Sequence, residues 1–159
     1  MDSTAVSIMK RQEVQRLCQQ YGGPLWPIIL AQCWRESRFN EDAHGINGGM
    51  GISQFTPATW IEWAGDAADP YDPEVCIQTH AAYLAWLVRY WRGDKRKAIA
   101  SYNHGIRNVE QWIDIKDLDW ERALPAPVQA YLLTVCDLAE YIQQHEPVIT
   151  PLDNAARSG

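Results

Sequence analysis

The feature that most constrains this chain is a helical spacing of apolar residues broken in one place by a dense run of glycines. Val6, Met9, Val14 and Leu17 recur on one face of a helix, and Val75, Ile77, Tyr83, Leu84, Leu87 and Val88 describe a longer one. Gly45, Gly48, Gly49 and Gly51 stand too close together for a helix interior, where each would cost backbone entropy, so 40–55 is expected to be a loop. No run alternates apolar and polar residues as a half-buried strand does. The expected fold class is all-α (mainly α) in a single globular domain.

The punctuation divides the rest. A first helix is expected over 4–20, capped by Ser3 or Thr4 and stopped by "YGGP" at 21–24. A second runs over 25–37, with Pro27 tolerated in its first turn. A short one begins at Pro57, capped by Thr56, and reaches Ala64; "GDAADPYDP" is a turn region. Further helices are expected over 73–91, in "GDKRKAIASYNHG" up to Asn103-His104-Gly105, in "IRNVEQWI", and over 127–145. Residues 1–145 make the domain, and 146–159 read as a flexible tail.

Composition excludes several classes. The formal charge of −6 lacks the basic stripe that phosphate backbones demand, so no nucleic-acid partner is expected; "KRK" at 95–97 reads as a solvated helix face. The most apolar stretch, "PLWPIILAQCW", falls short of the ~20 residues needed for a span, so no membrane insertion is expected. The N-terminal "MDSTAVSIMKRQEVQ" has no signal-peptide core, which points to synthesis in a cytoplasm. Cys18, Cys33, Cys76 and Cys136 form no CxxC pair and have no His at ligand spacing. No metal is expected, and buried free thiols are favoured over disulfides. Eight Trp and seven Tyr exceed what a small core needs, which suggests aromatic faces in a groove that suits sugars, bases or peptides.

Within "CWRESRFNEDAHGINGGMGISQFTPATW", residues 33–60, Glu36 closes a helix. A helix C-terminus disfavours an anion, and Trp34 and Phe39 would add desolvation; both raise a carboxyl pKa toward what a general acid needs. Taken singly, Glu36 is also a plain surface glutamate between Arg35 and Arg38, Gln54 a loop-packing residue and Tyr102 a core aromatic. The glycine loop is no phosphate cradle, lacking GK[ST] and a preceding strand. It places Gln54 and Phe55 just beyond Glu36.

Taken in order, Glu36-Ser37, "GGMGISQFTPATW", "DPEVCIQTHAAYLAWL", "AIASYNHG" and "LPAPVQAYLLTV" resemble the lysozyme-like catalytic domain of the soluble lytic transglycosylases, which includes many phage cell-wall lysins. The resemblance covers about 25–138. It implies Glu36 as sole catalytic acid and base, with Tyr102 beside it, and Ser37, Gln54 and Asn103 as substrate-side residues; Phe55 joins them by position. Two departures stand out: Ile52-Ser53 replaces the usual Leu-Met before the Gln, and His44-Gly45 stands where many members carry a substrate-contacting Ser.

The implied chemistry is cleavage of the β-1,4 bond between N-acetylmuramic acid and N-acetylglucosamine in a peptidoglycan glycan strand. The muramic 6-hydroxyl closes a 1,6-anhydro ring, and a neighbouring acetamido group replaces the second carboxylate. Neither cofactor nor metal is implied, and a monomer suffices. A protein of this kind would reach the wall through a holin or inside a virion. Two other readings stand beside it. One is a goose-type-like lysozyme that activates water through Glu41 or Asp42; the other is a cell-wall-binding module without catalysis.

Overall fold

The computed structural model describes residues 2–116 and 119–146. Helix α1, Ser3–Gly22, is capped by Asp2, whose carboxylate accepts from the Ala5 amide at 2.8 Å. The cap lies one residue before Ser3, because a carboxylate also complements the helix dipole. Only the second half of α1 enters the core: Val14, Leu17 and Cys18 are buried, whereas Val6 and Met9 are exposed. A 3-10 turn, Gly23–Leu25, leads into α2, Trp26–Ser37, with Pro27 in its first turn as expected.

After a loop come α3 (Pro57–Ala64), α4 (Pro73–Tyr90), α5 (Lys95–His104), α6 (Ile106–Lys116), α7 (Trp120–Ala123) and α8 (Ala126–His145). Asp72 and Asp94 cap α4 and α5 with side-chain bonds to first-turn amides. Thr56 does not cap α3 in this way; its hydroxyl turns to that of Thr59 at 3.1 Å. Helix α7 has a single turn, too short for a periodicity to show. The "KRK" of α5 is less solvated than expected, since Arg96 pairs with Glu121 of α7 and Lys97 with Asp94. The expected flexible tail lies, from residue 147 onward, outside the described residues.

Helix α2 is the hub, packed against α8, α1 and α4. Its residues Ile29, Leu30, Ala31 and Cys33 are fully buried, together with Ile77, Leu84 and Leu87 of α4 and Leu132 and Val135 of α8. The hub needs no crosslink: all four cysteines are free thiols. The longest irregular stretch among the described residues, 38–56, comes directly after α2. It carries two isolated bridges, His44 with Met50 and Met50 with Phe55, and no strand is assigned among the described residues. This stretch and the end of α2 make the site.

Candidate active site

Glu36 and Ser37 occupy the last turn of α2, and the chain then reverses abruptly. Arg38 and Phe39 both hold left-handed backbone, with φ of 54° and 63°. Consecutive non-glycine residues in this region are uncommon and cost of order 1–3 kcal/mol each. The turn is held by the Arg38 amide on the Trp34 carbonyl at 2.9 Å and by the Arg38 guanidinium lying 3.9 Å over the Trp34 ring. The reversal brings the loop back beside the carboxyl-bearing helix end.

Ser37 joins the two. Its hydroxyl lies 2.8 Å from the Ile52 carbonyl and 3.1 Å from that of Cys33, so its single hydrogen ties the helix end to the loop. From the other side Tyr102, on α5, donates its hydroxyl to the Ser53 carbonyl at 2.7 Å. Within the loop, Gln54 (φ 55°) turns its side chain inward and donates to the carbonyls of Gly51 at 2.9 Å and Ala43 at 3.2 Å. A Cβ at Gly45 or Gly49 would run into Gln54 Oε1, so a larger residue at either position would push the Gln54 amide out of its place in the loop. Gly51 has φ +70° and lies so close to the Pro70 carbonyl that no side chain fits.

The carboxyl of Glu36 is pushed up to about 7, from 4.5, by burial; the nearby Arg35 charge and a hydrogen bond with the Tyr131 hydroxyl pull the other way. Burial is therefore the cause, as one of the two expected effects. Trp34 and Phe39 line a separate groove of about 740 Å³ with Leu30, Leu138 and Tyr141. Side chains two positions apart on a helix leave it in nearly opposite directions. The groups that act with Glu36 are Tyr131 of α8 and Tyr102 of α5. Both phenols are raised well above their ordinary value, first by burial and next by the Glu36 charge, so both remain neutral.

The structure thus brings Glu36, Ser37, Tyr102 and the loop carrying Gln54 together. Phe55 is a correction. It is 3% exposed and packs against Trp60, His80, Tyr83 and Tyr102, so it belongs to the core beneath the site and offers no surface to a substrate. Asn103 is exposed at the end of α5. Sequence reasoning missed Tyr131: it lies inside "LPAPVQAYLLTV", but as an ordinary apolar position of a long helix, 95 positions (131 − 36) from the carboxyl it touches. His44, the loop substitution noted above, bonds the Tyr71 hydroxyl at 2.9 Å on the exposed side. Among the described residues no cluster of His, Cys, Asp and Glu is arranged to hold a metal ion, and no helix is long and apolar enough to cross a membrane.

What this arrangement offers chemically is a half-buried carboxyl poised between its two protonation states near neutral pH, walled by neutral phenols. The profile of the Transglycosylase SLT domain matches residues 14–121. The chain is 31% identical over 125 residues to membrane-bound lytic murein transglycosylase F of Alteromonas mediterranea, covering 65% of this chain and 27% of that protein. It is 35% identical over 88 residues to peptidoglycan transglycosylase gp16 of Escherichia phage T7, covering 52% of this chain and 7% of gp16. The fold is shared with the 70 kDa soluble lytic transglycosylase of Escherichia coli (TM-score 0.72, 18% identity, 87% of this chain and 26% of that one). It is shared also with lytic transglycosylase Slt of Pseudomonas aeruginosa (TM-score 0.66, 23% identity, 96% of this chain and 26% of that one). The chain therefore spans about a quarter or less of these proteins' own length.

Proposed function

Since the chain belongs to the Transglycosylase SLT domain family, we propose that it is a peptidoglycan lytic transglycosylase with Glu36 as its only acid and base. The observation that carries this is the Glu36 carboxyl, raised to about 7 by burial, with Arg35 as the charged group acting on it. In this reading neutral Glu36 protonates the glycosidic oxygen as the muramic acetamido carbonyl attacks the anomeric carbon. The carboxylate so formed then removes the proton of the muramic 6-hydroxyl. That oxygen displaces the acetamido group and closes the 1,6-anhydro ring. The nucleophile is part of the same sugar, so its effective concentration is high and no water need be activated. A raised pKa serves both halves, since the group must give a proton first and take one later.

The other proposed residues take roles that fit their hydrogen bonds. Ser37 and Tyr102 hold the loop against Glu36, with Tyr102 also walling the carboxyl. Gln54, whose amide hydrogens are both used within the loop, orders the backbone that faces the glycan; Asn103 stands at the open edge. The hydrolytic alternative finds less support. Glu41 lies in the groove between α1 and the loop, with Val6, Met9 and Lys10, and Asp42 is exposed. The likeness to a phage protein favours a phage lysin acting on the bacterial wall, as a monomer or as part of a longer chain. The test is a mass spectrum of the muropeptides released from purified sacculi. Ends in 1,6-anhydromuramic acid, one water lighter than a lysozyme's products, are expected; reducing muramic acid ends would overturn the reading.

A further inference from the structure

A chain of buried polar side chains runs behind the site and ends on Tyr131, beside Glu36. Ser53 Oγ lies 2.8 Å from His80 Nδ1, and His80 Nε2 lies 2.8 Å from Gln32 Oε1. Gln32 Nε2 donates to the Tyr131 hydroxyl at 3.2 Å, and that phenol faces the Glu36 carboxyl and helps to hold its pKa down. Ser53, His80 and Gln32 are 0% exposed and Tyr131 is 1% exposed. Four polar side chains from the loop, α4, α2 and α8 thus share the dry interior, where each would be costly without a partner. No buried side-chain nitrogen or oxygen among the described residues lacks one.

The geometry gives this chain a direction. Gln32 has distinct ends: with Nε2 toward Tyr131, the phenol oxygen is an acceptor there, and its one hydrogen goes to Glu36. With Oε1 toward His80, the imidazole must donate through Nε2, so its Nδ1 accepts from the Ser53 hydroxyl. Every donor therefore points toward Glu36. Were the Gln32 amide reversed, Tyr131 would give its hydrogen to Gln32, and His80 would accept at Nε2 and donate from Nδ1 to Ser53. Every donor would then point away from Glu36. The His80 ring is itself fixed, stacked on Tyr102 at 4.7 Å between ring centres and meeting the Phe55 ring edge-on. Ser53, where the chain begins, lies in one of the two departures of the sequence from the transglycosylase pattern.

We propose that His80, Gln32 and Ser53 are positioning residues that lock the Tyr131 hydroxyl as a hydrogen-bond donor to Glu36. They thereby set the pH at which that carboxyl exchanges its proton. The inference rests on the reading of Glu36 as the acid and base, and it adds residues that the family resemblance does not assign. The groups facing Glu36 are Arg35 on its own helix, Tyr131 on α8 and Tyr102 on α5. The Arg35 guanidinium also lies 5.7 Å over the Tyr131 ring. Removing the phenolic donor favours the neutral carboxyl, so Glu36 should titrate at higher pH.

The test uses the full chain with carboxyl-labelled glutamate, following Glu36 by NMR titration, with the pH–rate profile and Tm measured alongside. Tyr131→Phe should raise the Glu36 titration by about one pH unit, the usual worth of a hydrogen bond to a charged group. His80→Phe should move it in the same direction by a smaller amount. Ser53→Ala, a milder change that frees the imidazole to donate through Nδ1 instead, should do likewise. His80→Gln, which keeps a donor for Gln32, should restore the wild-type titration. The proposal fails if His80→Phe and Ser53→Ala lower Tm while Glu36 titrates as in wild type, or if His80→Gln shifts it as far as His80→Phe. Because the titration needs no turnover, it decides this point even if the muropeptides show that Glu36 is not a transglycosylase acid.

Discussion

Glu36 and the pair Glu41–Asp42 are carboxylates on the same short stretch of chain, yet they occupy different physical worlds. Glu36 is held on the last turn of a buried helix, in contact with a phenol, and its carboxyl is raised to about 7 by lost hydration. Asp42 is exposed, and Glu41 sits in the shallow groove that α1 makes with the loop. Between them stand the left-handed Arg38 and Phe39, which swing the chain away from α2. A hydrolase of this size would need both carboxylates at one sugar ring. The reversal at 38–39 instead leaves one carboxyl with the tyrosines and sends the others toward α1. Chemical identity counts for little here; the turn decides which carboxylate is buried beside the tyrosines.

The largest effect that tests this contrast is Glu36→Gln. It preserves shape but cannot exchange a proton, so glycan cleavage should fall by about two to four orders of magnitude. An assay of muropeptide release that found cleavage within tenfold of wild type would break the contrast outright.

A second effect follows from the raised pKa. Unfolded Glu36 ionises near its ordinary 4.5 and folded Glu36 at about 7, so the fold binds this proton more tightly. The associated stability is complete below the unfolded value and is lost as pH rises through the folded one. The loss amounts to about 3 kcal/mol, from a shift of about 2.5. Glu36→Gln, which never ionises, should therefore match wild type in urea unfolding at about pH 4 and exceed it clearly at about pH 8. Wild-type activity should fall over the same upper range as the acid form disappears. Equal stabilities at both pH values would mean that Glu36 is well hydrated in the folded protein.

Tyr102→Phe sharpens the contrast from the aromatic side. It removes the bond to the Ser53 carbonyl, which should lower stability by about 1 kcal/mol and reduce turnover several-fold through a loosened loop. Lost stability with unchanged kcat would confine Tyr102 to packing. The smallest effect belongs to the other region. Glu41→Gln and Asp42→Asn should each leave lysis of chloroform-treated Gram-negative cells within about twofold of wild type, as surface substitutions away from a site usually do. Marked loss in either, with reducing muramic acid ends in the products, would move the second carboxylate into the mechanism.

The helices were legible before any coordinates because their causes are local. Proline in the first turns of α2 and α3, the Gly48-Gly49 break and the apolar spacing of α4 each act within a few residues. The same locality explains the misses. Val6 and Met9 have the spacing of a core face, but nothing packs over the first half of α1, so they are exposed. Phe55 looked like a groove aromatic because it follows Gln54; the left-handed backbone at Gln54 aims it into the core instead.

Sequence alone determined that this chain is a helical domain with a carboxyl at a helix end, opposite a loop that only glycine could build. Those features depend on residue types and short spacings, and propensity, capping and steric exclusion act at that range. Tertiary structure decided what surrounds the carboxyl. The Tyr131 hydroxyl, the Tyr102 bond to Ser53 and the His80–Gln32 pair join residues 48 to 99 positions apart. Local periodicity places such residues on faces of helices, but only the packing of α2 against α4 and α8 brings those faces together. Desolvation, which sets the Glu36 proton, belongs to the assembled interior and to no single segment of it.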